Sequence, residues 1–517
     1  MKRQGFLGHI FTVGAYIMLS RVLGLVREML QSRLIGAGVE QSAFTLAFAL
    51  PNMARKLFGE GALTAAFVPI FRDEIEEAGL EKASRLARAV MTMVLLLLGT
   101  VVVLSLSGLV GTLALADRFD FSGRTRITLS LIAILVPYML AICGAAFGMG
   151  VLNALGRFKA SSFMPALLNI IWIATLAALL LFPGLSLVGR IRVVSVAILF
   201  GGFAQMAFMF VCMSRAGVSP RLLFSGWRDE KVCLVWRNLA IAAAGAGAIQ
   251  ANYLLDQVLG QMAAPWAAGV IGYAERLMDL PLGVIGVAFG TVLLPTFSGF
   301  FSRHDEKGAR EALALSVRNM LFVMVPAAAG LCILAPEVTR VIYEGGSFDA
   351  QATVRVSRAL SVYAVGLGFC GLQKSLIPWF QAQKDMKTPL NVSLVTVAVN
   401  ATLNVLAVWL LPVEWRHVGL AGSTVFCAFL GCVLLLVAAR RKNGALGLGA
   451  SVAYVLRVLV ATAVMAAALL FFRPKLALPL PVTLAVAIAE GLAVYTLMAL
   501  VLRIFRLPRR QVRPSDA

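Results

Sequence analysis

The chain has 517 residues, 60% of them hydrophobic and only 14% charged, with a mean hydropathy of +0.88. A soluble chain carries about a quarter charged residues, so this composition excludes a soluble globular class and defines a polytopic membrane protein. The formal charge of +21 does not indicate a nucleic-acid partner, because the cations follow the loops between apolar runs.

Each membrane span needs about 20 mostly apolar residues, and about fourteen such segments can be read along the chain. They centre near Ser20, Phe48, Leu96, Pro137, Trp172, Phe200, Gly245, Val284, Val323, Gly366, Val397, Leu430, Val464 and Val494. The expected fold class is therefore an all-α polytopic membrane protein. Pro and Gly interrupt the second and eighth segments. The opening "MKRQGF" is basic, but the apolar run after it is too long for a signal peptide and lacks a small-residue cleavage site. An even number of spans puts both termini on one side. Roughly 28 Lys and Arg fall on that side against about 12 on the other, with about six inside spans, which predicts cytoplasmic termini. The charged segments "FRDEIEEAGLEKASR", "SRHDEKGAR" and "RRKNG" are then expected to be cytoplasmic loops. The tail "RIFRLPRRQVRPS" reads as an orientation signal and anchor to anionic lipid. Seven cysteines without a CxxC pair, and His9, His304 and His417 set far apart, argue against a disulfide framework, a zinc site or a Ser/His/Asp constellation.

The chain also repeats itself. "RVLG" at Arg21–Gly24 returns as "QVLG" at Gln257–Gly260, "ALP" ending at Pro51 as "DLP" ending at Pro281, and "VPIF" (Val68–Phe71) as "LPTF" (Leu294–Phe297). "GRFKASSFMPALLN" (Gly156–Asn169) resembles "QAQKDMKTPLNVS" (Gln381–Ser393), each a short basic loop followed by Pro and an Asn-containing helix. The order is kept and the offsets stay within about 224 to 236 residues, as a tandem duplication requires. About six spans per repeat keep the two copies in the same orientation. The expected organisation is an N-terminal lobe over 1–220, a C-terminal lobe over 221–445, an added helical pair over 446–505 and a basic tail over 506–517. Two such lobes facing one another form a transporter plan.

Charges inside spans are the chemical signal, since a cation at mid-membrane costs about 2.5–3.5 kcal/mol on insertion scales. Arg21, Arg27, Arg55, Lys56, Arg276 and Lys374 are the cations, and Glu28, Glu60, Asp256, Glu275 and Asp279 the acids. They gather in the first two spans of each repeat. Arg21 and Arg27 are six residues apart, so their side chains point roughly 120° from one another and together need a broad cavity. Arg55 follows Pro51 and precedes "GEG", the kind of broken helix tolerated where it lines a cavity. Glu275 and Asp279 share a face of one helix, and Asp279 is also within reach of Arg276. Structural pairing suffices for Lys56 with Glu60. For Arg21, Arg27, Arg55 and Arg276 the stronger reading is a field for an anion, with guanidinium forks matching a phosphate.

The stretches "SRVLGLVRE", "AFALPNMARKLFGEGALTAAFVPIF", "YAERLMDLPLGVIGVAFGTVLLPTFS" and "QAQKDMKTP" resemble the MurJ (MviN) lipid II flippase family, in order and over essentially the whole chain. The resemblance implies two six-helix lobes and a final helical pair forming a groove for a lipid tail. It implies no chemical reaction: undecaprenyl-pyrophosphate-linked disaccharide-pentapeptide passes from the cytoplasmic to the periplasmic leaflet of the bacterial inner membrane. The family's cavity arginines fall on Arg21, Arg27, Arg55 and Arg276, and its nearby acids on Glu275 and Asp279. Glu28 and Glu60 join these as expected gating or ion-pair residues. So does position 42, where the family often has an aspartate and this chain has Ser42. A sodium ion held in the second lobe of some members maps to Asp256, Asn400, Asn404 and Thr424, with a single carboxylate among them; no other cofactor is implied. The implied partners are lipid II, membrane lipids and the cell-wall synthesis and division machinery. The alternatives are an exporter of another polyprenyl-linked oligosaccharide or a cation-coupled drug exporter of the same superfamily. Four cavity arginines argue against the second. A membrane glycosyltransferase or phosphatase would need acidic or His/Asp clusters that these short loops lack, and a channel would not need rocking lobes.

Overall fold

The computed structural model describes residues 3–59, 62–114, 121–448, 452–472 and 479–504. Glu60 and the basic tail 506–517 lie outside the described residues. The chain is helical throughout: α1 (Arg3–Ile35), α2 (Val39–Ala54), α3 (Ala62–Ala114), α4 (Gly123–Ala154), α5 (Phe158–Leu179), α6 (Leu187–Arg215), α7 (Glu230–Ala263), α8 (Ala267–Ser302), α9 (Glu306–Ile333), α10 (Ala335–Tyr343), α11 (Ala350–Ala382), α12 (Lys387–Leu410), α13 (Val413–Asn443), α14 (Val452–Phe472) and α15 (Leu480–Val501). Each apolar segment read from the sequence lies on one of these helices, and α10 is an additional short one. Among the described residues ten helices are long and apolar enough to cross a membrane: α3 to α6, α9 and α11 to α15.

Two helices depart from the expected plan. α2 contains Pro51, which has no N–H to give and crowds the preceding turn, and the helix widens into a π-helical turn over Arg55–Gly59. The segment expected as the loop "FRDEIEEAGLEKASR" is instead a helical extension of α3. Its i, i+4 pair Glu81–Arg85 (3.2 Å) supports the turn, and Gly79, at φ +81°, breaks the helix there.

Packing divides the chain into two compact units. The first comprises 1–270, 343–352 and 412–417, and the second 271–342, 353–411 and 418–517. By packing, α7 therefore joins α1 to α6: Trp236 donates its indole N–H to Met93 of α3 at 3.1 Å, and Lys231 pairs with Glu74 and with Glu77 (2.7 Å).

In the first unit α4 is the central post, with Leu131, Leu135, Tyr138, Ile142 and Phe147 buried. It meets α6 through glycines. A Cβ on Gly202 would lie 2.3 Å from the Tyr138 ring, and one on Gly144 would lie 2.7 Å from Met206 Sδ. Small residues let the helix backbones approach where lipid supplies no hydrophobic drive. The C-terminus of α1 ends at Gly36 (φ +82°), and the 343–352 segment seats on it. The Ser347 N–H donates to Arg33 O (2.7 Å), the Ser32 hydroxyl to Tyr343 O (3.1 Å) and Arg190 Nη1 to Leu34 O (3.1 Å). Carbonyls left without partners by the helix end are thus satisfied.

The second unit has two apolar centres. Phe297, Phe301 and Trp379 interlock edge to face at 5.0–5.5 Å between α8 and α11. α14 and α15 pack together and onto α9, where the Tyr495 hydroxyl donates to Phe322 O at 2.7 Å.

Candidate substrate-binding site

Arg27 is the best-defined charged group in the first unit. Its Nη1 donates to Asn169 Oδ1 of α5 at 2.9 Å, and its Nη2 pairs with the Glu28 carboxylate. Its guanidinium lies 4.4 Å from the centroid of Trp172, also on α5. Trp172 is itself set edge-on against Phe44 and Phe48 of α2, each at 5.8 Å. Asn169 reaches back with Nδ2 to Ser20 O (3.1 Å), so one amide ties two points, two turns apart, on the same face of α1. The side chains of Arg27 and Glu28 are only 13% and 9% exposed. Burial at that level is tolerable because charge, hydrogen bond and ring face are all supplied together.

Arg21 is half-buried on the same helix. Arg55 stands at the start of the π-helical turn, and its Nε and Nη2 both donate to Asn52 Oδ1, at 3.2 and 3.0 Å. Lys56 was expected to pair with Glu60, which lies outside the described residues. Its ammonium rests 4.8 Å from the Tyr253 ring centroid of α7. Ser42 is fully buried and accepts a hydrogen bond from the Gly269 N–H at 2.9 Å. A Cβ on Gly269 would come within 3.2 Å of Ser42 N and Oγ, so the first turn of α8 and α2 fit backbone to backbone at this point.

In the second unit Arg276 and Asp279 are exposed on α8, and half-buried Glu275 accepts from the Tyr363 hydroxyl of α11 at 3.2 Å. Asn400, Asn404 and Thr424 belong to α12 and α13. Asn404 Nδ2 donates to Asn400 Oδ1 at 2.9 Å, Ser423 donates to Asn404 Oδ1, and the Thr424 hydroxyl donates to Leu420 O at 3.2 Å. These three bear no formal charge, and both amide oxygens already accept hydrogen bonds within the network. They do not fit a cation site by themselves. Asp256, in the first unit, accepts from Asn252 at 3.3 Å. Among the described residues no cluster of three or more His, Cys, Asp or Glu could hold a metal.

An apolar cavity of about 490 Å³ opens beside the final helical pair. Phe322 and Pro326 of α9, Met465 and Leu469 of α14, and Gly491 and Tyr495 of α15 line it. Sequence reasoning named Arg27 but not its mounts, Asn169 and Trp172. The available signal was an Asn within an otherwise apolar helix, which the repeat already singled out.

Solved structures share this fold. One titled "Lipid II flippase MurJ, inward closed conformation" aligns over 95% of this chain and 98% of its own, with TM-score 0.77 at 22% identity. An inward-facing multidrug resistance MATE family transporter of the MOP superfamily aligns over 84% of this chain and 98% of its own, with TM-score 0.68 at 14% identity. The chain thus has the fold that these two structures share. The sequence profile of the lipid II flippase MurJ family matches residues 31–489. The probable lipid II flippase MurJ of Rhizobium meliloti is 34% identical over 507 residues, covering 94% of this chain and 92% of that protein. That of Vibrio cholerae is 31% identical over 474 residues, covering 89% and 87%. The chain belongs to the lipid II flippase MurJ family, a family of transporters rather than enzymes.

Proposed function

We propose that this chain carries lipid II from the cytoplasmic to the periplasmic leaflet of the bacterial inner membrane. The two lobes, 1–220 and 221–445, alternate in access, and Arg21, Arg27, Arg55 and Arg276 bind the pyrophosphate. Family membership across nearly the whole chain supports the substrate. The structural observation that supports the arginine field is the mounting of Arg27. Held by Asn169, Glu28 and the Trp172 face, its guanidinium plane is fixed before any substrate arrives, as bidentate phosphate recognition requires. The apolar cavity bounded by α9, α14 and α15 takes the polyprenyl tail. Glu28, Glu60, Glu275, Asp279 and Ser42 set the ion pairs and packing that change as the lobes move.

Both termini are cytoplasmic, in keeping with the excess of Lys and Arg on that side. Beyond lipid II and membrane lipids, the partners are the cell-wall synthesis and division machinery. An inside-negative potential favours outward movement of the anionic headgroup by about 2.3 kcal/mol per charge per 100 mV. It outranks sodium as the driver, because the expected sodium ligands Asp256, Asn400, Asn404 and Thr424 carry a single carboxylate among them. Depletion of the protein in its host tests the function. Lipid II should accumulate in the cytoplasmic leaflet, and an unchanged leaflet distribution would overturn the proposal.

A further inference from the structure

The linker between α6 and α7, residues 216–229, presents a surface outside the candidate substrate site. Its backbone is tied down. The Leu223 N–H donates to Thr92 Oγ1 of α3 at 2.8 Å, and Arg88 Nε of α3 donates to Arg221 O at 3.0 Å. At its start Arg157 Nη1, just before α5, donates to Arg215 O at 3.1 Å, and Val218 is fully buried. On this fixed frame three large apolar side chains face outward: Leu222 at 50%, Phe224 at 62% and Trp227 at 45% exposure. Arg221 and Arg228 flank them, also exposed.

The depth of the loop decides what covers these side chains. Thr92 lies in the apolar run of α3, and four and five residues further along are Leu96 and Leu97, both exposed on that helix. Four residues of helix rise about 6 Å, so Leu223 is bonded about one turn from a part of α3 that faces hydrocarbon. At that level Trp and Phe sit among headgroups with apolar bodies buried, and Arg side chains reach phosphate.

We propose that the 221–228 loop is an interfacial anchor. Leu222, Phe224 and Trp227 enter the adjoining leaflet, and Arg221 and Arg228 bind the phosphates of acidic phospholipids. The occupant is lipid because the patch combines a short apolar tip with flanking cations at the end of three helices apolar enough to span, α3, α5 and α6. This anchor is separate from the substrate arginines, and it stands whether or not the chain carries lipid II.

The test is made on the full chain in lipid nanodiscs. Exposed Cys233, whose Sγ lies 3.6 Å from Trp227 O, is first replaced in a Cys233→Ser background. An environment-sensitive fluorophore is then placed on Phe224→Cys, on Trp227→Cys and, as an aqueous control, on Glu76→Cys of the α3 extension. The expected result is several-fold stronger quenching at 224 and 227 than at 76 by nitroxide lipids labelled near the headgroup, with shielding from aqueous iodide. Replacing phosphatidylcholine by phosphatidylglycerol should deepen the effect, and Arg221→Gln with Arg228→Gln should remove that lipid-dependent part. The two Arg substitutions are read against the same labelled cysteine variants, so any disturbance of the loop by the cysteine is common to both sides of that comparison. Iodide access at 224 and 227 equal to that at 76 would overturn the anchor. Shielding from both quenchers would also overturn it, placing protein rather than lipid on the loop. Equal quenching in neutral and acidic lipid would overturn the assignment to acidic headgroups.

Discussion

Two buried polar clusters in this chain solve the same problem in opposite ways. At the α1–α5 contact, Arg27 and Glu28 bring full charges into a low-dielectric setting and recruit Asn169 and Trp172 to hold them. At the α12–α13 contact, Asn400, Asn404 and Ser423 satisfy one another with neutral groups. Neutral amides pair at modest desolvation cost, whereas an ion pair in such a place leaves a large penalty if either member is lost. The comparison teaches that the first cluster pays for a charge that structure alone does not need. The second is sufficient as structure.

The sharpest way to break that contrast is to remove the charge. Arg27→Ala should abolish lipid II flipping and also destabilise the protein by about 3–5 kcal/mol, because Glu28 is left buried without its partner. Adding Glu28→Gln should restore most of the stability, read from thermal unfolding in detergent, while transport stays lost. Arg27→Lys keeps charge but loses the fork and the stacking over Trp172, so it should retain only a fraction of the flipping rate. If the double variant regained transport, the arginine would be structural after all.

Next in size are the glycines where α1 ends. A Cβ on Gly36 would sit 2.4 Å from Ser347 O, and one on Gly346 would sit 2.3 Å from Arg33 O, both at positive φ. Gly36→Ala and Gly346→Ala should each cost about 1–3 kcal/mol of stability. Gly14, with nothing within 4 Å of its added Cβ, should tolerate alanine.

The neutral cluster should respond less. Asn404→Ala removes an acceptor for Ser423 and a donor to Asn400, a loss of about 1–2 kcal/mol. Flipping in proteoliposomes should change little when potassium replaces sodium, in wild type and variant alike. A sodium requirement that disappears in Asn404→Ala would reverse the reading of that cluster.

The smallest effect is expected at the turn between α11 and α12. Asp385 accepts from the Thr388 hydroxyl (2.7 Å) and N–H (3.0 Å) and pairs with Lys442 at 2.9 Å. The Thr388 hydrogen bonds, then Lys442, hold its carboxyl down at about 2. A depressed carboxylate stabilises the fold above its unfolded value, near 3.9, and that contribution fades as pH falls from there through about 2. With Lys442 nearly half exposed, Asp385→Asn should cost no more than about 1 kcal/mol at neutral pH. Its unfolding temperature should converge on wild type as the pH is lowered.

Much of the fold was legible in the sequence because a span writes itself as a run of apolar residues, and each of those runs lies on a helix. The charged residues were legible too, since charge inside such a run is anomalous wherever its partner lies. What a linear reading could not supply were the partners. Asn169 is 142 residues from Arg27, and nothing in local periodicity links them. The α3 extension was missed because its charge density reads as a loop, although its i, i+4 pair favours helix. The seat of Ser347 on Gly36 was hidden for a similar reason, since a glycine at a helix end has several local explanations before a tertiary one.

The central claim is that the arginines serve an anion in transit, and Arg276, exposed on α8, tests it most directly. The measurement is lipid II flipping by purified protein in proteoliposomes, wild type against Arg276→Ala. The expected result is that the variant folds and loses flipping, while a surface substitution on the α3 extension such as Arg85→Ala keeps it. Wild-type flipping by Arg276→Ala would contradict the account.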